Sequence, residues 1–158
     1  MSIEKQTVEL LKSKKLKLAT AESCTGGLIS KRITDVSGSS EVFEGGVVCY
    51  SNRFKEKVLG VSPETLKKYG AVSRETAREM VKGVLSLTKA DIAVAVTGIA
   101  GPSSDDTNKP VGLVYIAVSD GKSTIVKKLL NNFTGDVRKQ NRSISADTAL
   151  EMIMEAIR

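Results

Sequence analysis

The sequence predicts an α/β domain with a mixed sheet, in which helix-linked parallel strands are followed by one antiparallel hairpin. Amphipathic helical stretches alternate with short apolar strands along the 158 residues, a pattern typical of α/β folds. Residues 91–97 (DIAVAVT) are almost wholly apolar, as in a central strand buried on both faces. Asp120 and Gly121 form a hairpin turn signal. With 41% hydrophobic and 27% charged residues, residues 1–158 are expected to form a single domain.

The first third of the chain is predicted to contain two helices and one strand. Apolar side chains recur at helical spacing over residues 2–13, which predicts a helix there. A short strand over residues 16–20 runs into the segment AESCTGG, where the Gly-Gly pair opens a second helix that ends near Asp35. The Gly- and Ser-rich residues 36–46 are predicted to form a loop.

The middle of the chain is predicted to contain one strand and three helices. The strand covers residues 47–50, and the first helix runs from the segment SNRFK to about Leu59. Residues 62–64 start the second helix with a serine N-cap, a proline at the first helical position and an acid in the first turn. Ser73 caps the third helix. Its apolar stripe consists of Ala77, Met80, Val81, Val84 and Leu85.

The last third is predicted to contain two strands, the hairpin partner and a final helix. The strand over residues 91–97 leads into a loop over residues 98–112, and a loop of that length in a compact domain is typically functional or mobile. A strand over residues 111–119 turns into a partner segment over residues 123–133. The final helix opens at residues 135–142 and continues to the C-terminus.

The absence of histidine restricts the chemistry that the protein can perform. With no His in the chain, a Ser-His-Asp or Cys-His nucleophile and the usual His-rich zinc site are excluded. A base that acts near neutral pH must then be Lys, Tyr, Cys or a carboxylate with a shifted pKa. The two cysteines are too few for a disulfide scaffold. We expect no metal and no cofactor.

The charge of the chain favours an anionic ligand over a nucleic acid. Twenty-four Lys and Arg against eighteen Asp and Glu give a net charge of +6. The basic residues are scattered among acidic ones, and six aromatic residues without Trp offer little for base stacking. A small phosphate is therefore a better candidate than DNA, and a generally basic solvated surface is the alternative. No apolar run approaches the ~20 residues of a membrane helix, and the charged N-terminus does not resemble a signal peptide. A cytoplasmic protein without membrane contact is expected.

Ser23 is the first candidate for catalysis. A strand that ends in small residues before a Gly-Gly helix start lifts one hydroxyl clear of the sheet edge and leaves backbone N–H groups beside it. Those donors and the positive end of the helix could stabilise an oxyanion or bind a phosphate. A simple helix cap is the alternative interpretation. Cys24 is a rival nucleophile, although a buried small apolar side chain is the commoner role of a free Cys.

Tyr50 and Lys55 form the second candidate pair. If the strand ends at Tyr50, both residues lie at the carboxyl end of the sheet together with Ser23, where ligands bind in open α/β sheets. A lysine that is partly desolvated there would have a lowered pKa and could remove the proton of the serine hydroxyl. The Tyr50 hydroxyl could relay that proton. The alternative is a solvated helix lysine and a half-buried strand tyrosine.

Two further segments could bind a ligand. The loop that begins at Thr97 has glycines whose backbone N–H groups can approach a ligand, but it lacks the spacing of a dinucleotide fingerprint. The adjacent acids at residues 105–106 are more typical of a solvated loop than of a metal site. Arg138 and Arg142 are four residues apart and share a helix face, so they could grip one phosphate or carboxylate. A basic solvated face is the alternative.

In chain order, these segments resemble the CinA C-terminal domain family, from about Lys15 to the C-terminus. The resemblance implies a three-layer α/β/α sandwich on a mixed, mostly parallel sheet of about five strands. It implies further that the chain is similar to stand-alone nicotinamide-nucleotide amidases, which hydrolyse the carboxamide of nicotinamide mononucleotide (NMN) to nicotinate mononucleotide and ammonia. The motifs that carry it are AESCTGG, GGVVCYSNRFK, TGIAGP, KPVG and GD-x-R-x-x-x-R.

The resemblance also implies roles for individual residues. Ser23 is the nucleophile, and Tyr50 and Lys55 complete the Ser-Lys machinery. Thr97 and Arg138 line the substrate site, which is expected to bind a phosphorylated pyridine nucleotide. The other expected substrate contacts are Cys24, Thr25, Gly26, Gly27, Asn52, Gly98, Gly101 and Arg142.

Three departures from the family pattern bear on these expectations. Residues 103–106 (SSDD) replace a usually glycine-rich loop, and acids there disfavour a phosphate unless they point away. Val137 interrupts the usual spacing before Arg138. The nucleotide-handling domain of full-length CinA proteins has no counterpart here, so its pyrophosphatase activity is not expected. The alternatives are a non-catalytic binding or regulatory module and an amidase for another amide. A homodimer is compatible with the sequence, but no segment marks an interface.

Overall fold

Five strands in the order β2-β1-β3-β4-β5 form the central sheet of the computed structural model, which describes residues 1–158. Helices cover both faces of this sheet, so the predicted three-layer α/β/α sandwich is confirmed. None of the helices combines the length and the apolar composition that a membrane crossing needs. The elements are α1 (Ile3–Lys14), β1 (Leu18–Glu22), α2 (Leu28–Thr34), a 3-10 turn (Ser39–Glu41), β2 (Phe43–Val48), α3 (Asn52–Leu59), α4 (Pro63–Tyr69), α5 (Arg74–Thr88), β3 (Ile92–Gly98), β4 (Leu113–Ser119), β5 (Thr124–Leu130) and α6 (Val137–Ile157).

The bounds of the predicted strands shift by a few residues in the structure, and the shifts of the first two strands bear on the site. The first was expected at residues 16–20 and instead ends at Glu22, directly before Ser23. The predicted loop over residues 36–46 is wrong at its end, because β2 already begins at Phe43 and stops before Tyr50. Residues 43–46 (FEGG) have a weak intrinsic strand propensity, but pairing with β1 holds them in the sheet.

The sheet brings the ends of three strands to one edge. β1 pairs in parallel with both β2 and β3, so all three end at the same side, which we call the carboxyl edge. β4 is antiparallel to β5, as the hairpin prediction required, and it is antiparallel to β3 as well. Four of the five strands therefore point towards the carboxyl edge. The loops that leave these strands are the natural place for a site.

The two faces of the sheet differ in side-chain size. The face covered by α1, α2 and α6 carries large side chains, such as Leu18 of β1 and Ile92 of β3. The face covered by α3 and α5 carries mainly alanines on β1 and β3. Since side chains alternate along a strand, Ser23 follows Ala19 and Ala21 onto the α3 side. The pleat of β1 thus aims the Ser23 side chain at α3.

Close packing of α5 against α3 fixes the position of α3. A Cβ atom built on Gly83 of α5 would lie 1.9 Å from the carbonyl oxygen of Leu59, the last residue of α3. No larger residue fits that contact without a backbone shift. Because Lys55 lies one turn before Leu59, this contact also fixes the position of Lys55.

We expect Gly83→Ala to lower the free energy of unfolding by about 1–3 kcal/mol, since overpacking the α3–α5 contact outweighs the higher helix propensity of alanine. Urea denaturation of the variant and the wild type measures the difference. Gly45→Ala is the matched control, because a Cβ on Gly45 meets nothing within 4 Å. A Gly83→Ala protein as stable as the Gly45→Ala protein would contradict the close packing.

Candidate active site

A serine and a lysine are hydrogen-bonded at the carboxyl edge. Ser23 directly follows β1, and its backbone N–H donates to the Val96 carbonyl at 3.0 Å, which extends the β1–β3 pairing by one residue. Lys55 Nζ donates to Ser23 Oγ at 3.0 Å. The Ser23 side chain is nearly buried, and Lys55 is only 1% exposed. The structure therefore brings together the two residues that the sequence placed at this edge.

The Lys55 ammonium lacks a carboxylate partner. Its second hydrogen bond goes to the Tyr50 carbonyl at 3.1 Å, and it takes part in none of the four ion pairs of the structure. Burial disfavours the charged form, so the pKa of Lys55 is lowered from its ordinary value. A lysine in this environment holds a neutral amine over a wider pH range than a solvated lysine does.

Glu22, the residue before the serine, is fully buried on the opposite face of the sheet. Its carboxylate accepts hydrogen bonds from Ile29 N (2.8 Å), Ser30 N (3.0 Å) and Ser30 Oγ (2.6 Å) in the first turn of α2. Glu22 thereby caps α2, whose N-cap residue Gly27 has no side chain to do so. The carboxylate therefore occupies these two amides, and they are not free to bind a ligand.

Two backbone amides beside the serine remain without an acceptor in the chain. Ser23 N donates to Val96, and Gly26 N donates to the Ser23 carbonyl at 3.0 Å. Cys24 N, Thr25 N and Gly27 N make no hydrogen bond within the chain. The amides of Cys24 and Thr25 are the two next to Ser23 in the chain, and they can bind a developing oxyanion beside Ser23 Oγ.

Both cysteines are poor nucleophiles in this structure. Burial raises the pKa of the Cys24 thiol to about 12 and that of the Cys49 thiol to about 11. Because the thiolate is the reactive form, neither side chain is activated near neutral pH. The environment favours Ser23 over its rival Cys24.

A cavity of about 250 Å³ opens above the Ser23–Lys55 pair. Seven of the predicted site residues line it, and the rest of its wall comes from the loops after α4 and β3. The predicted residues that line it are Ser23, Cys24, Tyr50, Lys55, Gly98, Gly101 and Arg138. The others are Ala71, Val72, Ile99, Ala100, Ser103, Ser104 and Asp105.

The Tyr50 hydroxyl is paired with Arg138 and not with the lysine. Arg138 Nη2 donates to the Tyr50 hydroxyl at 2.9 Å, and Arg138 Nη1 donates to the Gly101 carbonyl at 2.7 Å. Tyr50 contacts Lys55 through its backbone carbonyl, while its side chain is 59% exposed. The Tyr50 side chain therefore lines the cavity, and its hydroxyl makes no hydrogen bond to Ser23 or Lys55.

Several predicted substrate contacts are not part of the cavity lining. Thr97 is 1% exposed, and its hydroxyl donates to the Ala71 carbonyl at 2.8 Å, because it continues the series of β3 side chains that face α5. Asn52 is exposed at the start of α3 and does not line the cavity. Gly26 and Gly27 make the turn itself, with φ angles of 59° and 100° that favour glycine.

Arg142 is also directed elsewhere. It lies one helical turn after Arg138, and its guanidinium donates to the carbonyls of Cys24 and Thr25 at 3.2 and 2.9 Å. The two arginines share a helix face as predicted, but their guanidinium groups bind different backbone segments. Thr25 lies in the turn whose carbonyls Arg142 binds, and it does not line the cavity.

The wall formed by Ala71 and Val72 was missed by the sequence reasoning. A topological signal was available, since β2 and β3 are parallel and the crossover helix before β3 runs antiparallel to them. The N-terminus of α5, and the residues just before it, must then lie at the carboxyl edge. Lys109 supports this wall, because its Nζ donates to the carbonyls of Tyr69 (2.5 Å) and Val72 (2.6 Å).

Fold and site together define an α/β/α sandwich protein with a buried Ser–Lys pair at the carboxyl edge of its sheet. The chain belongs to the family described as CinA C-terminal domain, whose model matches residues 1–157. The family resemblance drawn from the motifs is thereby confirmed.

Relatives and solved structures agree with this assignment. A relative from a Thermoanaerobacter species, whose name describes it as competence-damage inducible, is 50% identical over 151 residues, 96% of this chain and 36% of the relative. A CinA-like protein from Thermotoga neapolitana is 47% identical over 156 residues, 99% of this chain and 37% of the relative. The chain thus spans little more than a third of these relatives. The crystal structure of the competence/damage inducible protein CihA from Agrobacterium tumefaciens is similar with a TM-score of 0.90 at 41% identity, covering 98% of this chain and 93% of that one.

We expect Lys55→Met to stabilise the protein by about 1–3 kcal/mol at neutral and lower pH, because it removes a buried ammonium without a carboxylate partner. In the wild type, the folded state gives up the Lys55 proton at a lower pH than the unfolded chain does. The wild type therefore gains stability as the pH rises from the lowered pKa towards the ordinary value, and the advantage of the variant shrinks over that window.

Urea denaturation of both proteins at several pH values measures this difference. Lys57→Met is the control, since Lys57 is an exposed lysine of the same helix. A Lys55→Met protein less stable than the wild type at every pH would show that the buried ammonium is favourable.

Proposed function

We propose that the chain is an amidase that hydrolyses the carboxamide of NMN to nicotinate mononucleotide and ammonia, with Ser23 as nucleophile and Lys55 as base. The observation that carries this proposal is the 3.0 Å hydrogen bond between Lys55 Nζ and Ser23 Oγ in a buried environment without a carboxylate partner. A neutral amine at that distance can accept the hydroxyl proton directly. The motif resemblance supplies the substrate.

In the first half of the reaction, neutral Lys55 takes the proton of Ser23 Oγ, and the oxygen attacks the carboxamide carbon. The carbonyl oxygen becomes an oxyanion, for which the unpaired amides of Cys24 and Thr25 are the nearest donors in the chain sequence. Each such donor contributes about 3–4 kcal/mol in other hydrolases. Lys55, now protonated, gives its proton to the leaving nitrogen, so that ammonia departs and an acyl-serine ester remains.

In the second half, the same lysine acts on water. Lys55 is neutral again after ammonia leaves, and it can take a proton from a water molecule that attacks the ester carbon. The oxyanion forms at the same amides, and the Ser23 oxygen leaves with the proton that Lys55 returns. The product is a carboxylic acid, which ionises to nicotinate mononucleotide. One lysine therefore serves both steps, and no histidine is needed.

Arg138 is the best candidate for the phosphate of the substrate. It lines the cavity, and both of its hydrogen bonds go to neutral oxygens, on Tyr50 and Gly101. Its positive charge is therefore not neutralised by a carboxylate. Asp105 lines the same cavity, but its Oδ1 accepts from the Thr107 amide at 3.0 Å and from the Thr107 hydroxyl within its own loop. The acid of this loop is partly satisfied before any ligand binds.

We expect Ser23→Ala and Lys55→Met each to lower kcat for ammonia release from NMN by at least about 1,000-fold, since each removes one half of the nucleophile–base pair. Cys24→Ala keeps the backbone amide and is expected to lose less than about tenfold. Ammonia release by the purified variants is the measurement. Full activity of Ser23→Ala together with loss of activity in Cys24→Ala would overturn the assignment of the nucleophile.

The same assay separates the alternatives when free nicotinamide and nicotinamide riboside are included. Activity on another amide but not on NMN would keep the chemistry and change the substrate. A wild-type protein that releases no ammonia from any of these amides but binds DNA in a salt-dependent manner would instead be a binding module.

We expect Arg138→Ala to raise KM for NMN by about 10–100-fold, because a charge-assisted hydrogen bond to the phosphate contributes about 1.5–3 kcal/mol. KM for nicotinamide riboside, which lacks the phosphate, should change by less than about threefold. Lys57→Ala is the control for the loss of one positive charge outside the cavity. An equal rise of KM for both substrates would show that Arg138 does not bind the phosphate.

A further inference from the structure

Arg142 holds two consecutive carbonyls of the turn that follows the nucleophile. Its Nε donates to the Cys24 carbonyl at 3.2 Å, and its Nη2 donates to the Thr25 carbonyl at 2.9 Å. Arg142 is partly buried on α6 and takes part in no ion pair. A whole guanidinium charge is therefore directed at two neutral backbone oxygens next to Ser23.

The planarity of the peptide bond turns this clamp into an orientation of the amides. In a trans peptide the C=O and N–H groups point in opposite directions. When Arg142 pulls the Cys24 carbonyl towards α6, the N–H of Thr25, which belongs to the same peptide unit, points away from α6. That N–H has no acceptor in the chain. The amides of Ser23 and Gly26 are already used by the Val96 and Ser23 carbonyls.

The guanidinium also makes this amide a better donor. A hydrogen bond from a charged donor to a carbonyl polarises the whole peptide unit, and linked hydrogen bonds strengthen one another. The Thr25 amide is thus both aimed and polarised by Arg142. An uncharged donor at the position of Arg142 would orient the Thr25 amide in the same way but would polarise its peptide unit less.

The fold of the turn has supports other than Arg142. Gly26 N donates to the Ser23 carbonyl, Leu28 N donates to the Thr25 carbonyl at 3.0 Å, and Glu22 caps the helix that follows. Loss of the guanidinium should therefore loosen the alignment of the amides without unfolding the turn.

We propose that Arg142 is a positioning residue that aligns the Thr25 amide as a donor of the oxyanion hole of Ser23. This inference rests on the proposed function, because it assigns the orientation of donors that the amidase reaction uses. It departs from the expectation that Arg142 binds the substrate phosphate. The two roles differ in what they predict for kinetics, since an oxyanion donor acts in the transition state and a phosphate contact acts already in substrate binding.

The test compares Arg142→Ala and Arg142→Lys with the wild type in NMN hydrolysis. We expect Arg142→Ala to lower kcat by about 10–100-fold while KM changes by less than about threefold. Arg142→Lys should recover only part of the loss, because one ammonium cannot reproduce the planar two-donor geometry. Added guanidinium ion at non-denaturing concentration should raise kcat of Arg142→Ala. Arg78→Met removes an exposed arginine of α5 and is the control, because added guanidinium should leave its kcat unchanged.

A second readout does not depend on NMN. A fluorophosphonate probe labels an activated serine, and its phosphoryl oxygen occupies the oxyanion hole as it reacts. The labelling rate of Ser23 should fall in Arg142→Ala by a factor similar to that in kcat and should recover with guanidinium. A wild-type protein that is labelled at Ser23 but releases no ammonia from NMN would refute the proposed substrate. The labelling rates of the Arg142 variants would then decide whether Arg142 positions the oxyanion donor.

Three results would overturn the inference. One is a raised KM with unchanged kcat and unchanged labelling, which would assign Arg142 to substrate binding. Another is a loss of activity that guanidinium does not restore and that follows a drop in the thermal unfolding temperature, which would assign it to stability. The third is an Arg142→Ala protein with wild-type kcat and labelling rate.

Discussion

The hydrogen bond between Lys55 and Ser23 is the interaction on which the site depends. It requires an ammonium-bearing side chain in a nearly dry environment, and burial of that kind destabilises the charged form. In the proposed reaction this energetic cost is useful, because a lysine that readily becomes neutral can act as a base. A carboxylate close to Lys55 would relieve the cost and would restore the high pKa. The absence of such a partner is therefore as important to the site as the presence of the serine.

The pleat of β1 explains how a buried carboxylate can adjoin the serine in the sequence without pairing with the lysine. Glu22 and Ser23 are adjacent, so their side chains leave opposite faces of the sheet. Glu22 caps α2 on one face, and Ser23 meets α3 on the other. A shift of β1 by one residue would exchange the two and would place a carboxylate beside Lys55. The pairing of β1 with strands on both sides makes that shift unfavourable, so the register of a central strand keeps a carboxylate away from Lys55.

The sequence predicted the Ser23–Lys55 pair because both residues follow strands that end at the same edge, which is a property of topology. It predicted the helices well, since caps and apolar stripes are local signals. It did not predict the roles of Thr97 and Arg142, because each donates to carbonyls in a segment distant in the chain. It did not predict the role of Glu22 either, because the pleat sets the face on which Glu22 accepts from α2. The early start of β2 at Phe43 was missed for a related reason, since partner strands and not local propensity hold its glycines in the sheet.

The arginines of α6 show how one spacing can serve two purposes. Residues four apart share a helix face but differ by about 6 Å along the axis. At the carboxyl edge, that distance separates the mouth of the cavity from the turn beneath it. Arg138 reaches Tyr50 and Gly101 at the mouth, and Arg142 reaches Cys24 and Thr25 in the turn. Both guanidinium groups bind neutral oxygens, so their charges add to the positive potential around the cavity. Such a potential favours an anionic substrate, as the proposed reaction requires.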